Sequence, residues 1–175
     1  MSAPDSPPNG LPTVTDAGWM RQAIALAVAE KGRDPANTPI AALVVRDGAI
    51  VGQGVNRTAE CCDATAHAEI EALRHAGATA GEMRIEGATL YSTLQPCGMC
   101  TFASIWAGIG RIVFGARRED VHEMYFEDRH LSTLDFIADA YKDDIVLHGG
   151  VLAQECAQLY FRPGDDVPEE MQAND

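Results

Sequence analysis

A histidine and an acid, followed 30 positions later by a pair of cysteines, constrain this chain more than any other feature of its sequence. The first motif reads His67-Ala68-Glu69, and the cysteines stand in Pro96-Cys97-Gly98-Met99-Cys100. Imidazole and thiolate groups are ligands that zinc prefers, and Cys-x-x-Cys is a common ligand spacing. Both stretches are predicted to open helices, whose free N–H groups stabilise thiolates. The spacing therefore predicts two helix N-termini that flank one strand and meet at one metal ion.

The ligand count predicts a zinc ion with an open coordination position. Structural zinc sites use four protein ligands, whereas His67, Cys97 and Cys100 leave one position for water. Glu69 is not needed as a ligand, so we expect it to take a proton from the attacking water and pass it on. The alternative is a closed structural site, for which the candidate fourth ligands are Cys61, Cys62 and His75.

The hydrophobic pattern predicts helices that alternate with strands. Asp47-Gly48 is a two-residue hairpin signal, and Thr15 or Asp16 is placed to cap the first helix. The expected fold class is therefore α/β, with three α/β/α layers around a five-stranded mixed sheet. Predicted helices span 15–32, 65–75, 96–107, 131–142 and 151–161, and predicted strands span 40–45, 49–55, 89–94, 111–115 and 145–147.

Composition predicts one folded domain between two polar ends. We expect a poorly ordered segment at 1–14, a zinc-binding domain at 15–161 and an acidic tail at 162–175. The five cysteines are an odd number and favour metal binding in a reducing compartment over disulfides. Cys156 is expected in the core, and Cys61 and Cys62 are expected to be inert. The first residues lack a signal-peptide pattern, so the expected location is the cytoplasm.

The charge balance points to a small, uncharged substrate. The net charge is −13 and the pI is about 4.6. Nucleic-acid binders normally carry a basic patch that contacts phosphates, so we expect nucleic acid to be an unlikely partner. No apolar run approaches the length of a membrane span.

From about Met20 to Ala116 the chain resembles the cytidine deaminase superfamily. Within it, the histidine before the acid is similar to the branch of guanine, cytosine and tRNA wobble-adenosine deaminases. The stretches that carry the resemblance are 38–45, 63–69 and 111–116, which read TPIAALVV, DATAHAE and RIVFGA. The resemblance implies a zinc hydrolase of cytidine deaminase-like fold, usually a homodimer. Its single zinc ion maps onto His67, Cys97 and Cys100, and its proton shuttle maps onto Glu69.

The resemblance also assigns two substrate contacts, Asn56 and Ala68. For Asn56 the alternative is a local role in capping a turn. One departure from the family pattern is Gln95, where a glutamate usually precedes Pro-Cys. That position is not a ligand, so we expect zinc binding to be unaffected.

Hydrolytic deamination of a free purine base or its nucleoside, guanine first, is the expected activity, with cytosine and related amino-heterocycles as close competitors. Tyr125-Phe126-Glu127-Asp128 resembles the Gly-Phe-Asp-Asp stretch of guanine deaminases and assigns a second catalytic acid to Asp128; the alternative is a solvated loop. Phe126 and Trp106 are candidates for stacking on a planar base. For Trp106 the alternative is packing in the core.

Two other functions stay open at the level of sequence. The first is deamination of the tRNA wobble adenosine, although enzymes of that kind end in a basic helix and this chain ends in an acidic tail. The second is a non-catalytic binding module stabilised by zinc. A basic surface patch would favour the first alternative, and a fourth protein ligand would favour the second.

Overall fold

The computed structural model describes residues 14–33, 38–126, 135, 137 and 145–168, and within them five strands form one mixed sheet. The strand order is β2-β1-β3-β4-β5. β1 (Ala41–Arg46) pairs antiparallel with β2 (Ala49–Val55) and with β3 (Thr89–Leu94). β4 (Arg111–Ala116) pairs parallel with β3 and with β5 (Val146–Gly149). The predicted five-stranded mixed sheet is confirmed.

Helices cover both faces of this sheet, which confirms the three-layer α/β/α architecture. The described helices are α1 (Val14–Arg33), α2 (Thr58–Cys61), α3 (Ala68–Ala80), α4 (Gly98–Trp106) and α5 (Ala153–Ala157), with short 3-10 turns at Arg118–Asp120 and Glu123–Tyr125. One buried cluster joins α1 and α5 to the sheet through Met20, Tyr91 and Cys156. The other joins α3 to the opposite face through Ala72 and Leu90.

Local turn chemistry explains where the elements depart from their predicted bounds. Asp47 and Gly48 both have positive φ, as the predicted hairpin requires. The helix expected from 65 begins only at 68, because the Asp63 carboxylate accepts hydrogen bonds from the amide and the hydroxyl of Thr65 and holds a turn there. The last helix is shorter than predicted because Leu152, before its first residue, is left-handed.

Asp16, a candidate cap of the first helix, also takes part in a buried network across the fold. It lies inside the first turn of α1 and is buried. Its carboxylate accepts hydrogen bonds from both terminal nitrogens of the Arg111 guanidinium, at 2.8 and 2.9 Å, and from the Tyr91 hydroxyl at 2.8 Å. The network therefore ties α1 to the middle strands of the sheet.

Several predicted segments lie partly or wholly outside the described residues. Of the predicted helix at 131–142, positions 135 and 137 are described and both are helical. Of the predicted tail, residues 162–168 form turns and irregular chain that is exposed except at Val167, which is buried. Residues 1–13 and 169–175 lie outside. None of the described helices combines the length and apolarity needed to cross a membrane.

Two glycines of β2 allow α3 to lie directly on the strand. A methyl group added at Gly54 would collide with the carbonyl oxygen of Ala68 and the amide of Ala72. One added at Gly52 would collide with backbone atoms of Ala72 and Ala76. Because the facing helix residues are alanines, the two backbones approach without long side chains between them. This contact fixes the start of α3, the helix that follows His67.

We expect Asp16→Asn to lower the free energy of unfolding by about 2–4 kcal/mol, because it leaves the half-buried Arg111 guanidinium without its carboxylate. Urea unfolding followed by circular dichroism measures the change. Glu86→Gln is the control, since Glu86 is 72% exposed in its pair with Arg84 and its loss should cost about 0.5 kcal/mol or less. Equal losses in the two variants would contradict the role assigned to Asp16.

We expect Gly54→Ala to lower the free energy of unfolding by about 1–3 kcal/mol, because the added methyl group forces α3 off β2. The same substitution at Gly18, within α1, meets nothing within 4 Å and should raise stability by about 0.5–1 kcal/mol. Thermal and urea unfolding of the two variants measures both effects. A neutral Gly54→Ala would show that α3 can shift freely.

A candidate zinc and catalytic centre

Two helix N-termini bring the predicted ligands together. His67 and Cys97 immediately precede α3 and α4 with extended backbone, and Cys100 lies in the first turn of α4. The Cys97 and Cys100 sulfurs lie 3.7 and 3.6 Å from His67 Nδ1. The three ligand atoms all lie within 4.8 Å of one another. The spacing argument from the sequence is therefore confirmed.

These separations fit a tetrahedral zinc ion. Zinc bonds of about 2.3 Å to sulfur and 2.0–2.1 Å to nitrogen, at tetrahedral angles, put nitrogen and sulfur about 3.5 Å apart. The observed distances to His67 Nδ1 match this value closely. The side chains are therefore already arranged around a point where one ion can contact all three.

The proposed fourth ligands do not join this group. Among the residues that the structure describes, the metal-binding cluster contains His67, Cys97 and Cys100. Cys61 and Cys62 are exposed free thiols, and His75 Nδ1 lies within hydrogen-bonding distance of both the amide and the carbonyl of Gln53. Three protein ligands favour a reactive zinc site over a closed structural one.

The electrostatics of the cysteine pair also suit a divalent cation. The pKa of Cys97 is lowered to about 4, because its thiolate accepts a hydrogen bond from the Cys100 thiol and lies beside His67. The pKa of Cys100 is raised, because its thiol donates a hydrogen bond to the Cys97 thiolate and because the side chain is buried. A zinc ion would take the place of that shared proton and stabilise both thiolates.

Glu69 lies beside the ligands and is nearly enclosed by protein. It is the second residue of α3 and is 4% exposed. The Ser92 hydroxyl donates a hydrogen bond of 2.9 Å to its Oε1 atom. Burial raises the pKa of Glu69 above its usual range, and the negative charge of Cys97 raises it further. A carboxyl group with a raised pKa suits both proton uptake and proton release.

Ser92 is the member of this group that the sequence analysis missed. It lies in the middle of β3, beside Tyr91 and Thr93, with no side-chain exposure. The only available signal was a serine within a predicted strand, since a serine that becomes buried there needs a polar partner. Which partner it would meet could not be read from the pattern, because Glu69 is 23 positions away.

Asn56 and Ala68, the predicted substrate contacts, both lie next to the ligand-bearing elements. Asn56 follows β2, is buried, and donates through its side-chain amide to the Thr58 hydroxyl at 3.2 Å. That bond is the local turn contact weighed as the alternative. Ala68 is the fully buried first residue of α3, between His67 and Glu69.

The two aromatic candidates are not placed as expected. Trp106 is 78% exposed, so the core-packing interpretation is wrong. It ends α4, about 12 Å along the helix axis from the end that carries the ligands, so it is not brought together with them. Phe126 is buried in the cluster on the α1 side, and the Arg118 guanidinium carbon lies 5.3 Å from its ring centre. This packing does not favour stacking on a base. Asp128 and Glu127 lie outside the described residues.

Comparison with known proteins agrees with this geometry. Residues 14–116 match the family described as the cytidine and deoxycytidylate deaminase zinc-binding region. The tRNA-specific adenosine deaminase of Buchnera aphidicola subsp. Schizaphis graminum is 37% identical over 144 residues, which cover 82% of this chain and 90% of that protein.

Two solved structures share the fold. One comes from studies of A-to-I editing by tRNA:A34 deaminases and is 32% identical in sequence, with a TM-score of 0.67. The alignment covers 81% of this chain and 98% of that structure's chain. The other is a guanine deaminase from Nitrosomonas europaea and is 26% identical in sequence, with a TM-score of 0.72. The alignment covers 87% of this chain and 85% of that structure's chain.

We expect His67→Ala to lose most of the zinc that the wild-type chain binds, about one ion per chain, because two thiolates alone hold the ion weakly. Glu69→Gln should keep its zinc, since Glu69 is not a ligand. His75→Ala is the matched control and should also keep it, because this ring contacts Gln53. Elemental analysis after gel filtration measures the content. Loss of zinc from His75→Ala would instead support the closed site.

Proposed function

The chain belongs to the cytidine and deoxycytidylate deaminase zinc-binding family, and from that premise we propose that it hydrolytically deaminates an adenosine in transfer RNA. The similarity to a tRNA-specific adenosine deaminase, 37% over 82% of this chain and 90% of the relative, carries the proposal. It supports the alternative substrate of the sequence analysis over guanine. The expectation that nucleic acid is an unlikely partner is accordingly not supported.

The centre supplies the groups that such a reaction needs. When bound by His67, Cys97 and Cys100, zinc supplies Lewis-acid activation of water. Glu69 takes a proton from the attacking water as oxygen bonds to the carbon that carries the amine. The same carboxyl group delivers that proton to the ring nitrogen. It then takes the remaining proton from the new hydroxyl group and passes it to the amine, so that the C–N bond breaks, a carbonyl forms and ammonia leaves. Its burial excludes bulk water from these transfers.

Asn56 and Ala68 are proposed to orient the base. Asn56 directly follows β2 and Ala68 begins α3, so both are positioned by the contact between strand and helix. A side-chain amide and a backbone group held in this way can fix the base relative to the attacking water. The proposal of a homodimer rests on the family resemblance.

Guanine, or another free purine, is the second candidate, and the charges beside the site favour it. Arg57, which follows Asn56, donates to Glu60 and lies 3.9 Å from Glu71, and Arg74 of α3 donates to the same Glu71. A phosphate backbone would have to displace these carboxylates, in a chain whose net charge is −13. Asp128 would then be the second acid.

The proposal is tested by a substrate panel offered to the zinc-loaded wild type and to Glu69→Gln. Adenosine in a tRNA anticodon stem-loop should be converted with release of ammonia, and the turnover should fall as salt rises, because phosphate contacts are screened. Guanine, cytosine and free adenosine should react at least about 100-fold more slowly, because the phosphate contacts are missing. Glu69→Gln should lose at least about 100-fold in kcat because the proton carrier is gone.

Turnover of guanine with none of the stem-loop would overturn the tRNA proposal and leave the deaminase assignment intact. Asp128→Asn would then distinguish an acid that assists the reaction from a solvated loop residue, since only the first should lower kcat.

A further inference from the structure

The Ser92 hydroxyl donates its hydrogen bond to Glu69, the acid that lies beside the three metal ligands and is not itself a ligand. The bond from its hydroxyl to Glu69 Oε1 measures 2.9 Å, and it crosses from the middle of β3 to the first turn of α3. Ser92 is 0% exposed and Glu69 is 4% exposed, so water does not compete for the contact. A hydrogen bond to a buried charged group is among the strong ones in proteins.

We propose that Ser92 is a positioning residue for Glu69: its hydroxyl holds one carboxylate oxygen and thereby fixes where the other oxygen meets the attacking water. The inference rests on the proposed role of Glu69 as proton carrier. A glutamate side chain has three rotatable bonds, and a misplacement of about 1 Å at a reacting group can cost about 100-fold in rate. The hydroxyl can donate and accept, so it can hold the carboxyl group before and after proton uptake.

The strand supplies the fixed point from which this bond acts. β3 is the central strand of the sheet and is paired on both sides, antiparallel with β1 and parallel with β4. The neighbouring Thr93 hydroxyl is used elsewhere, by the Ala41 amide at 3.1 Å and by the Tyr160 hydroxyl at 2.6 Å. Ser92 therefore links the carboxylate to the most constrained part of the fold.

A second serine provides a matched control. Ser104 is also 0% exposed and lies on α4, the helix of the two cysteine ligands. Its hydroxyl donates 2.8 Å to the Cys100 carbonyl within the same helix and does not meet Glu69. Ser92→Ala and Ser104→Ala thus remove the same atom at the same burial, and only the first removes a bond to the acid.

The decisive experiment compares these two variants as zinc-loaded full-length protein. Each is assayed with whichever substrate of the panel the wild type converts best, and kcat and KM are determined separately. Ser92→Ala should keep one zinc ion and a KM within about twofold of wild type, while kcat falls about 10- to 100-fold. Ser104→Ala should keep kcat within about twofold, because its hydroxyl bonds only to helix backbone.

A readout that needs no turnover completes the test. The carboxyl carbon of Glu69 is observed by NMR in protein labelled with 13C-glutamate, and its resonance is assigned by its absence from Glu69→Gln. It should shift in Ser92→Ala and stay in place in Ser104→Ala. An unmoved resonance in Ser92→Ala, or equal losses of kcat in the two alanine variants, would overturn the proposal. Both measurements can be made whichever substrate the wild type deaminates. Failure of the tRNA proposal is instead detected by the substrate panel, so the two proposals are tested separately.

Discussion

The backbone contact between α3 and β2 is the constraint on which the metal centre depends. Gly52 and Gly54 have no side chains, and alanines face them from the helix, so neither partner can move closer or rotate without collision. Zinc bonds of about 2.0–2.3 Å tolerate little displacement of their ligands. His67 and Glu69 flank Ala68, whose carbonyl faces Gly54, so the ligand and the acid take their positions from the same contact.

The other half of the centre comes from the parallel pair β3 and β4 and the helix between them. A parallel connection requires a crossover, and α4 is that crossover. Its N-terminus, with Cys97 just before it and Cys100 in its first turn, therefore lies at the carboxyl end of β3. The two thiolates and the imidazole would give a zinc centre without net charge. Such a centre lowers the pKa of bound water only weakly, so the position of the proton carrier Glu69 is important. The hydrogen bond from the buried Ser92 hydroxyl serves that positioning.

The chemistry of this centre is common to the family and does not select the amine to be removed. Net charge was a weak guide to that choice, because charges act over a screening length of about 8–10 Å and only those along the path of the substrate matter. The relative that acts on tRNA and the solved guanine deaminase share this fold with the chain. Selection of the substrate must therefore depend on residues around the centre, among which Asn56 is the contact that we propose.

The sequence by itself determined the ligands, the alternation of helices and strands, and the hairpin at Asp47-Gly48, because these depend on residue type and short spacing. Only the tertiary structure decided that Asp16 pairs with Arg111, that Trp106 is exposed, and that Ser92 donates to Glu69. Each of these depends on partners or surroundings supplied by distant parts of the chain. Local patterns encode what a side chain needs, whereas packing decides which neighbour supplies it.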